Sequence, residues 1–288
     1  SRCVYHESME SFQRVIIFWR RARAGVLPVV AMLLSAIPGG GGALAADELF
    51  PPSGVERIVI AGTENWRTLV TRDGERLIPA AIADFGVIAP GPTGLPGAEE
   101  KALTDAFRGL AGRPLGVRYL SSRVDRRGRR PVLLYDGDLL VQRSMVGSGL
   151  AIAHSLRGDL SCAGRLLNAE DEARSAARGY WKHGAGWIAG ARPEDFTGRL
   201  NRFVILQARI VSVGTRKDRS YLNFGGRWSD DVTVEIPDGS RDAFGGPEAL
   251  EALDGQEVRV RGYAIGKSGP MIEVRRPWQI EVLTKGSR

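Results

Sequence analysis

Apolar and polar positions along this chain follow two rhythms, one of period two and one of three to four residues, and together they predict many short strands and few helices. Residues 56–61, 68–71 and 76–83 alternate at strand length, and Asp73-Gly74 between the last two signals a hairpin. Residues 86–97 hold four glycines and three prolines and predict a loop. Ala98, Leu103, Phe107 and Leu110 share one face of a helix over 97–110, and strands follow at 115–120 and 131–135. A short helix is expected over 141–150. The clearest helix runs over 162–180, with Leu166, Ala169 or Glu170, Ala173, Ala177 and Tyr180 on one face and Gly179 near its end.

The pattern then changes. Residues 184–198 are rich in Gly, Ala and Pro and read as a linker. Strand-length runs follow at 203–213, 220–224, 231–236, 257–265, 271–273 and 279–283, with a short helix at 249–253 and turns at 214–219, 237–239 and 267–270. Five or six strands with one helix before the fourth fit a small Greek-key barrel.

Composition refines the two ends of this picture. The 288 residues are 43% hydrophobic and 25% charged, as in globular proteins, and are long enough for two domains. Met9 reads as the natural start. From it run a basic region (Arg14, Arg20, Arg21, Arg23), an apolar stretch from 24 to 38, and Ala43-Leu44-Ala45-Ala46-Asp47, which resembles a small-residue cleavage site. The apolar core is about 15 residues, short of the roughly 20 a span requires, so a secretory signal over 1–45 is expected, with a periplasmic or secreted mature protein and no stable membrane span after cleavage. An uncleaved anchor is the competing reading. Losing residues 1–45 removes five arginines and two glutamates and lowers the net charge from +7 to +4. Lysine is scarce, so the positive charge is nearly all arginine. That suits bidentate phosphate contacts, but a GC-rich genome that spells basic residues as arginine is the favoured explanation. With only Cys3 and Cys162 present, no disulfide framework or zinc motif can be built; Cys162 is expected as a small packing residue.

The motifs that suggest chemistry lie at 125–181. Asp125-Arg126-Arg127-Gly128-Arg129 precedes a hydrophobic strand ending at Tyr135. Asp136-Gly137-Asp138-Leu139-Leu140-Val141 and Val146-Gly147-Ser148-Gly149-Leu150-Ala151 follow. The segment closes with Glu170-Asp171-Glu172-Ala173-Arg174 and Gly179-Tyr180-Trp181. In this order and spacing it resembles the C-terminal half of the thermonuclease (staphylococcal-nuclease-like) family. The resemblance implies a small oligonucleotide-binding (OB) type barrel and calcium-dependent phosphodiester hydrolysis. The string Ser220-Tyr221-Leu222-Asn223-Phe224-Gly225, with the strands after it, resembles OB modules appended to bacterial nucleic-acid proteins. The expected fold is therefore mainly β with α (α+β): two small OB-type β-barrels, the first thermonuclease-like over 46–183, the second OB-like over 199–288, joined by the 184–198 linker.

The family's chemistry takes two aspartates on Ca²⁺, a glutamate acting on water, and two arginines stabilising charge on phosphorus. The resemblance carries the second arginine to Arg129 and one metal aspartate to Asp84. It places Val87 where the glutamate belongs, Pro79 at the first arginine and Arg67 at the other metal aspartate. Arg76 lies on the opposite strand face from the required arginine unless a bulge reverses it; Glu64 can act as a displaced carboxylate. A general base is worth about 10²–10⁴ in rate and a charge-stabilising donor about 10²–10³, so the expectation is a nuclease fold with hydrolysis lost. It would act as a binding or interaction module, for nucleic acid or a cell-envelope partner, with no cofactor. The alternative is an active calcium-dependent endonuclease with a rearranged site.

Further candidates concern binding. Arg123, Arg126, Arg127, Arg129 and Arg130 form the densest basic patch, able to grip phosphates or to be a solvated turn. Arg216, Lys217 and Arg219 occupy a hairpin loop near Tyr221, Phe224 and Trp228, the combination by which OB modules hold single strands. His154 and His183 have no metal-site spacing. Asp136 and Asp138 fit a turn. Glu170 can pair with Arg174, and Glu170, Asp171 and Glu172 fit a solvated helix face.

Overall fold

In the computed structural model, residues 55–88, 97–154, 163–226 and 230–283 are described. The expected signal segment 1–45, the cysteines Cys3 and Cys162, and Trp228 lie outside them. The chain is mixed α+β with more strand than helix.

Alternating apolar residues build a closed ring in the first half. Strands β1 (Glu56–Asn65), β2 (Thr68–Thr71) and β3 (Arg76–Pro79) form an antiparallel meander. Its β2–β3 turn carries Gly74 at φ +81°, as Asp73-Gly74 signals. After β4 (Ile82–Ala83) and helix α1 (Ala98–Arg108) come β5 (Pro114–Tyr119) and β6 (Arg129–Asp136). Strand β5 pairs antiparallel with β1 and with β6, and β6 pairs parallel with β3. The ring therefore closes, which removes exposed sheet edges. Ile58, Ile60, Leu69, Leu77, Leu115, Val117, Val132 and Leu134 are buried, together with Leu103 and Phe107 of α1.

The remainder of this half packs on the ring. It comprises β7 (Leu139–Leu140), α2 (Val141–Gly147), β8 (Ile152–Ala153) and α3 (Ala163–Ser175). Strand β8 pairs with β4. Leu166, Ala169 and Ala173 of α3 are buried as expected, but the helix ends at Ser175, short of residue 180. Ala177 is exposed at φ +49°, and Gly179 turns at φ +52°. A Cβ at Gly179 would lie 2.4 Å from the Gly149 carbonyl oxygen, and one at Gly149 would lie 2.2 Å from that of Arg178. Both glycines of the motif are thus required by one close crossing of backbones.

The second half repeats the connectivity. Strands β10 (Arg202–Arg209) and β11 (Ser212–Thr215) are one bent path. They are followed by β12 (Arg219–Asn223), β13 (Thr233–Pro237), helices α4 (Asp238–Arg241) and α5 (Pro247–Glu251), β14 (Glu257–Gly266) and β15 (Pro270–Glu273). Successive antiparallel pairs join β11 to β12 and β12 to β13. Strand β13 runs parallel to β15, which returns through β14 to β10. In both halves the first strand pairs with the second and fourth, the third runs parallel to the fifth, and the helical crossover lies between third and fourth. Val204, Leu206, Leu222, Val234, Ile236, Val258 and Val260 fill the second core, with Phe244 and Leu250. Strand β16 (Ile280–Val282) adds to β14.

The stretch 184–198 is a packed connection rather than a loose one. It contributes β9 (Ile188–Ala189), parallel to β10, and buries Trp187 and Phe196. The two halves also share a seam. Phe203 and Ile205 of β10 join the first core, and Ile88 bridges to Phe203. Among the described residues no helix is long and apolar enough to cross a membrane.

Candidate functional site

Asp84 follows β4 and caps a single 3₁₀ turn, Phe85–Val87, by accepting the Gly86 N–H through Oδ1 at 2.8 Å. A Cβ on Gly86 would meet that oxygen at 2.7 Å, so the tight turn requires glycine. The next residue, Phe85, is fully buried among Tyr180 at 5.6 Å and Trp181 and Trp187, both at 4.9 Å between ring centres. The Gly179-Tyr180-Trp181 motif therefore seats the turn that presents Asp84.

Around Asp84 the carboxylate is fully engaged. Its Oδ2 accepts the Trp66 indole N–H at 2.8 Å and Arg67 Nη2 at 2.7 Å. Arg67 also donates Nη1 to Glu100 of α1 at 3.0 Å and lies 4.5 Å over the Trp66 ring. The Asp84 side chain is 4% exposed, that of Arg67 32%. A charge-assisted hydrogen bond of this kind is roughly twice as strong as a neutral one. Arg129, also buried, donates Nε and Nη2 to Asp125 Oδ2 at 2.9 and 2.6 Å, and Nη1 to the Arg67 carbonyl at 2.9 Å. One residue, Arg67, thus bridges Asp84 and Arg129: its side chain holds Asp84, and its backbone receives Arg129.

Arg129 mainly locks the loop from which it comes. Asp125 Oδ1 accepts the backbone N–H groups of Arg127 and Arg129. Burial pushes the Asp125 carboxyl up, but the Arg129 hydrogen bonds and these backbone donors outweigh it and hold it at about 2.

These residues do not fit a calcium ion. A hard cation needs several oxygen ligands at one point, and the position beside Asp84 holds a guanidinium. Among the described residues no group of three or more His, Cys, Asp or Glu is placed to hold a metal. The two residues offered as rescues are spent on each other: Arg76 donates to both Glu64 oxygens, at 2.6 and 2.9 Å. Pro79 is buried beside Val132 of β6, and Val87 packs partly buried against the core.

The basic patches divide under the same scrutiny. Arg123, Arg126 and Arg127 are exposed. Arg130 is half-buried, with Nε 3.0 Å from Glu75 Oε1 and its guanidinium 4.5 Å from the Tyr119 ring. Tyr119 donates to Glu75 at 2.7 Å, and burial followed by that carboxylate raises its pKa. In the second half Arg216 and Lys217 are exposed, but Arg219 is held by Asp218 and by Glu235 at 3.1 Å. Lys267, from the β14–β15 turn, reaches the same Glu235 at 3.2 Å. Tyr221 is half-buried and Phe224 belongs to the core. Asp136 and Asp138 flank a turn at Gly137, and Asp136 pairs with Arg113.

The acidic face of α3 requires correction. Glu172 is solvated and Asp171 partly so. Glu170 is completely buried, accepting the Ala153 N–H at 2.7 Å and Arg261 Nη2 at 3.0 Å. Arg174 pairs with Asp171, not Glu170. Arg261 also meets Glu281 at 2.6 Å, while Arg259 meets Asp171 at 3.3 Å and Gln207 at 3.1 Å. Both arginines are at most 1% exposed. Burial disfavours the Arg261 charge, but Glu170 and Glu281 outweigh it and raise its pKa; burial lowers that of Arg259. Sequence reasoning missed this seam. The one available signal was the alternation Val258, Arg259, Val260, Arg261, which marks a second strand face without saying what covers it.

No protein-family model matches the chain, and no curated protein matches it.

Proposed function

We propose that the first half is a thermonuclease-like barrel of the OB type whose metal seat is filled by its own arginine, and that the exported protein binds nucleic-acid backbones without cutting them. The carrying observation is Arg67 Nη2 at 2.7 Å from Asp84 Oδ2. A cation replaces a metal ligand at the position where the family holds calcium, and it neutralises the one carboxylate that remains. Support for the fold comes from the ring order in both halves, a Greek-key circuit with a helix between third and fourth strands, which is the OB layout. It also comes from Asp84 and Arg129 converging on one residue.

Support for binding comes from charge accounting. In the β5–β6 loop and beside it, Asp125, Glu75 and Glu64 are each committed to an arginine. Arg123, Arg126 and Arg127 therefore project from the loop against no uncommitted acid of this group. Exposed guanidinium groups on a fixed loop suit phosphate contacts.

The test is the salt dependence of binding to a single-stranded oligonucleotide, measured by fluorescence anisotropy. Log affinity should fall linearly with log salt. In Arg126→Ala/Arg127→Ala the slope should shrink by about 1.4, since each contact to single-stranded phosphate contributes roughly 0.7. No binding at low salt, or an unchanged slope, would sink the proposal.

A further inference from the structure

The last residue before the undescribed 155–162 segment is His154, and it sits on the seam between the two halves. Its side chain is almost wholly buried. The imidazole meets Phe203 edge-on at 4.6 Å and Tyr263 at 6.3 Å, both from the second half. Its backbone N–H donates to Ala81, which is held at φ +70°.

The charges around this ring are arranged against a proton. Arg261 of β14 and Arg67 of the β1–β2 turn face it as cations, and Asp84 faces it as an anion. Asp84 already accepts from Trp66, Arg67 and Gly86. Glu170 of α3 and Glu281 of β16 are committed to Arg261, and Asp171 to Arg174 and Arg259. The neighbouring Ala153 is clamped into the same cluster, its N–H on Glu170 and its carbonyl on Arg261 Nη1 at 3.3 Å. A protonated His154 would thus be a buried cation facing two guanidinium groups, with Asp84, Glu170, Glu281 and Asp171 each already paired.

We propose that His154 is an acid-sensitive latch between the two halves: neutral, it packs against Phe203 and Tyr263 and keeps them docked; protonated, it releases the seam while each ring stays folded. Burial first, then Arg261 and Arg67, push its pKa from 6.5 down to about 4, against the pull of Asp84. The sign follows by linkage. The undocked ring binds its proton more readily, so docking is complete above about 6.5 and weakens as pH falls toward about 4, where the docked ring itself becomes protonated. The open population should rise by up to about tenfold per pH unit, or roughly 300-fold across the window.

The full chain is tested by hydrogen exchange between pH 7 and 4.5, corrected for intrinsic rates. The amides of Ala153 and His154, which donate to Glu170 and Ala81 on the first-half side of the seam, report its uncovering; those of Leu134 and Leu222 report the two rings. The expected result is loss of protection at the seam with both rings retained, and a flat profile in His154→Gln, which keeps Glu170, Glu281 and Asp171. Constant seam protection, an identical loss in His154→Gln, or simultaneous loss at all four amides overturns the latch. If His154→Gln does not fold, the wild-type imidazole titration by NMR decides it: a midpoint near 4 supports the proposal, and one near 6.5 overturns it.

Discussion

Replacing Arg261 by methionine should destabilise the protein by about 3–5 kcal/mol, the effect expected when one member of a buried ion pair is removed and the other is left behind. Glu170 would keep only the Ala153 N–H, at a position where its side chain is 1% exposed. Methionine preserves much of the volume, so the cost falls on the orphaned charge rather than on a cavity. Because the pair joins α3 to β14, the damage should also be directional. Calorimetry should show the wild type melting in one transition and Arg261→Met in two, as the halves lose their coupling. In Glu170→Gln/Arg261→Met the loss should be smaller than the sum of the single losses, since neither orphan then remains. A single transition in Arg261→Met with an almost unchanged midpoint would mean that the seam contributes little.

The second large effect belongs to Asp84. Asp84→Ala should cost about 3 kcal/mol, because it removes the acceptor for a buried indole N–H, a guanidinium and a turn amide together. The Trp66 indole would then be a buried donor without a partner, while Arg67 would retain Glu100. Denaturant unfolding measures this directly. If Asp84 instead served a cation, wild-type stability would rise on adding calcium, and Asp84→Ala would abolish that rise. The expected result is no calcium-dependent stabilisation in either protein.

How far the sequence revealed this arrangement differs from place to place. The strands were legible because their alternation is strict, and the Asp73-Gly74 and Gly137 turns carry their own conformational signal. The glycines at 149 and 179 were legible as motif members; that they touch each other required the fold. Residues 188–189 were hidden, because two residues of strand in a Gly/Ala/Pro-rich stretch give no period to read. Arg259 and Arg261 were missed for the opposite reason. Their alternation with Val258 and Val260 is that of a half-solvated strand, but the other face is covered by α3, and nothing local encodes a covering helix 90 residues away. Glu170 was ambiguous on its helix for the same reason. At the candidate site Arg67 was legible only as the residue that the family resemblance would place at a metal ligand. Its pairing with Asp84, and the donors from Trp66 and Gly86, were not, because contacts across a ring depend on where the turns fall.

On the proposed reading, Arg67 fills the position where calcium would bind, and the protein binds nucleic acid without hydrolysing it. Incubating the purified protein with supercoiled plasmid and with single-stranded DNA, in low salt with and without millimolar-range calcium, tests it most directly. The account predicts retarded but intact DNA under both conditions. Calcium-dependent cleavage that disappears in Arg129→Ala would contradict it.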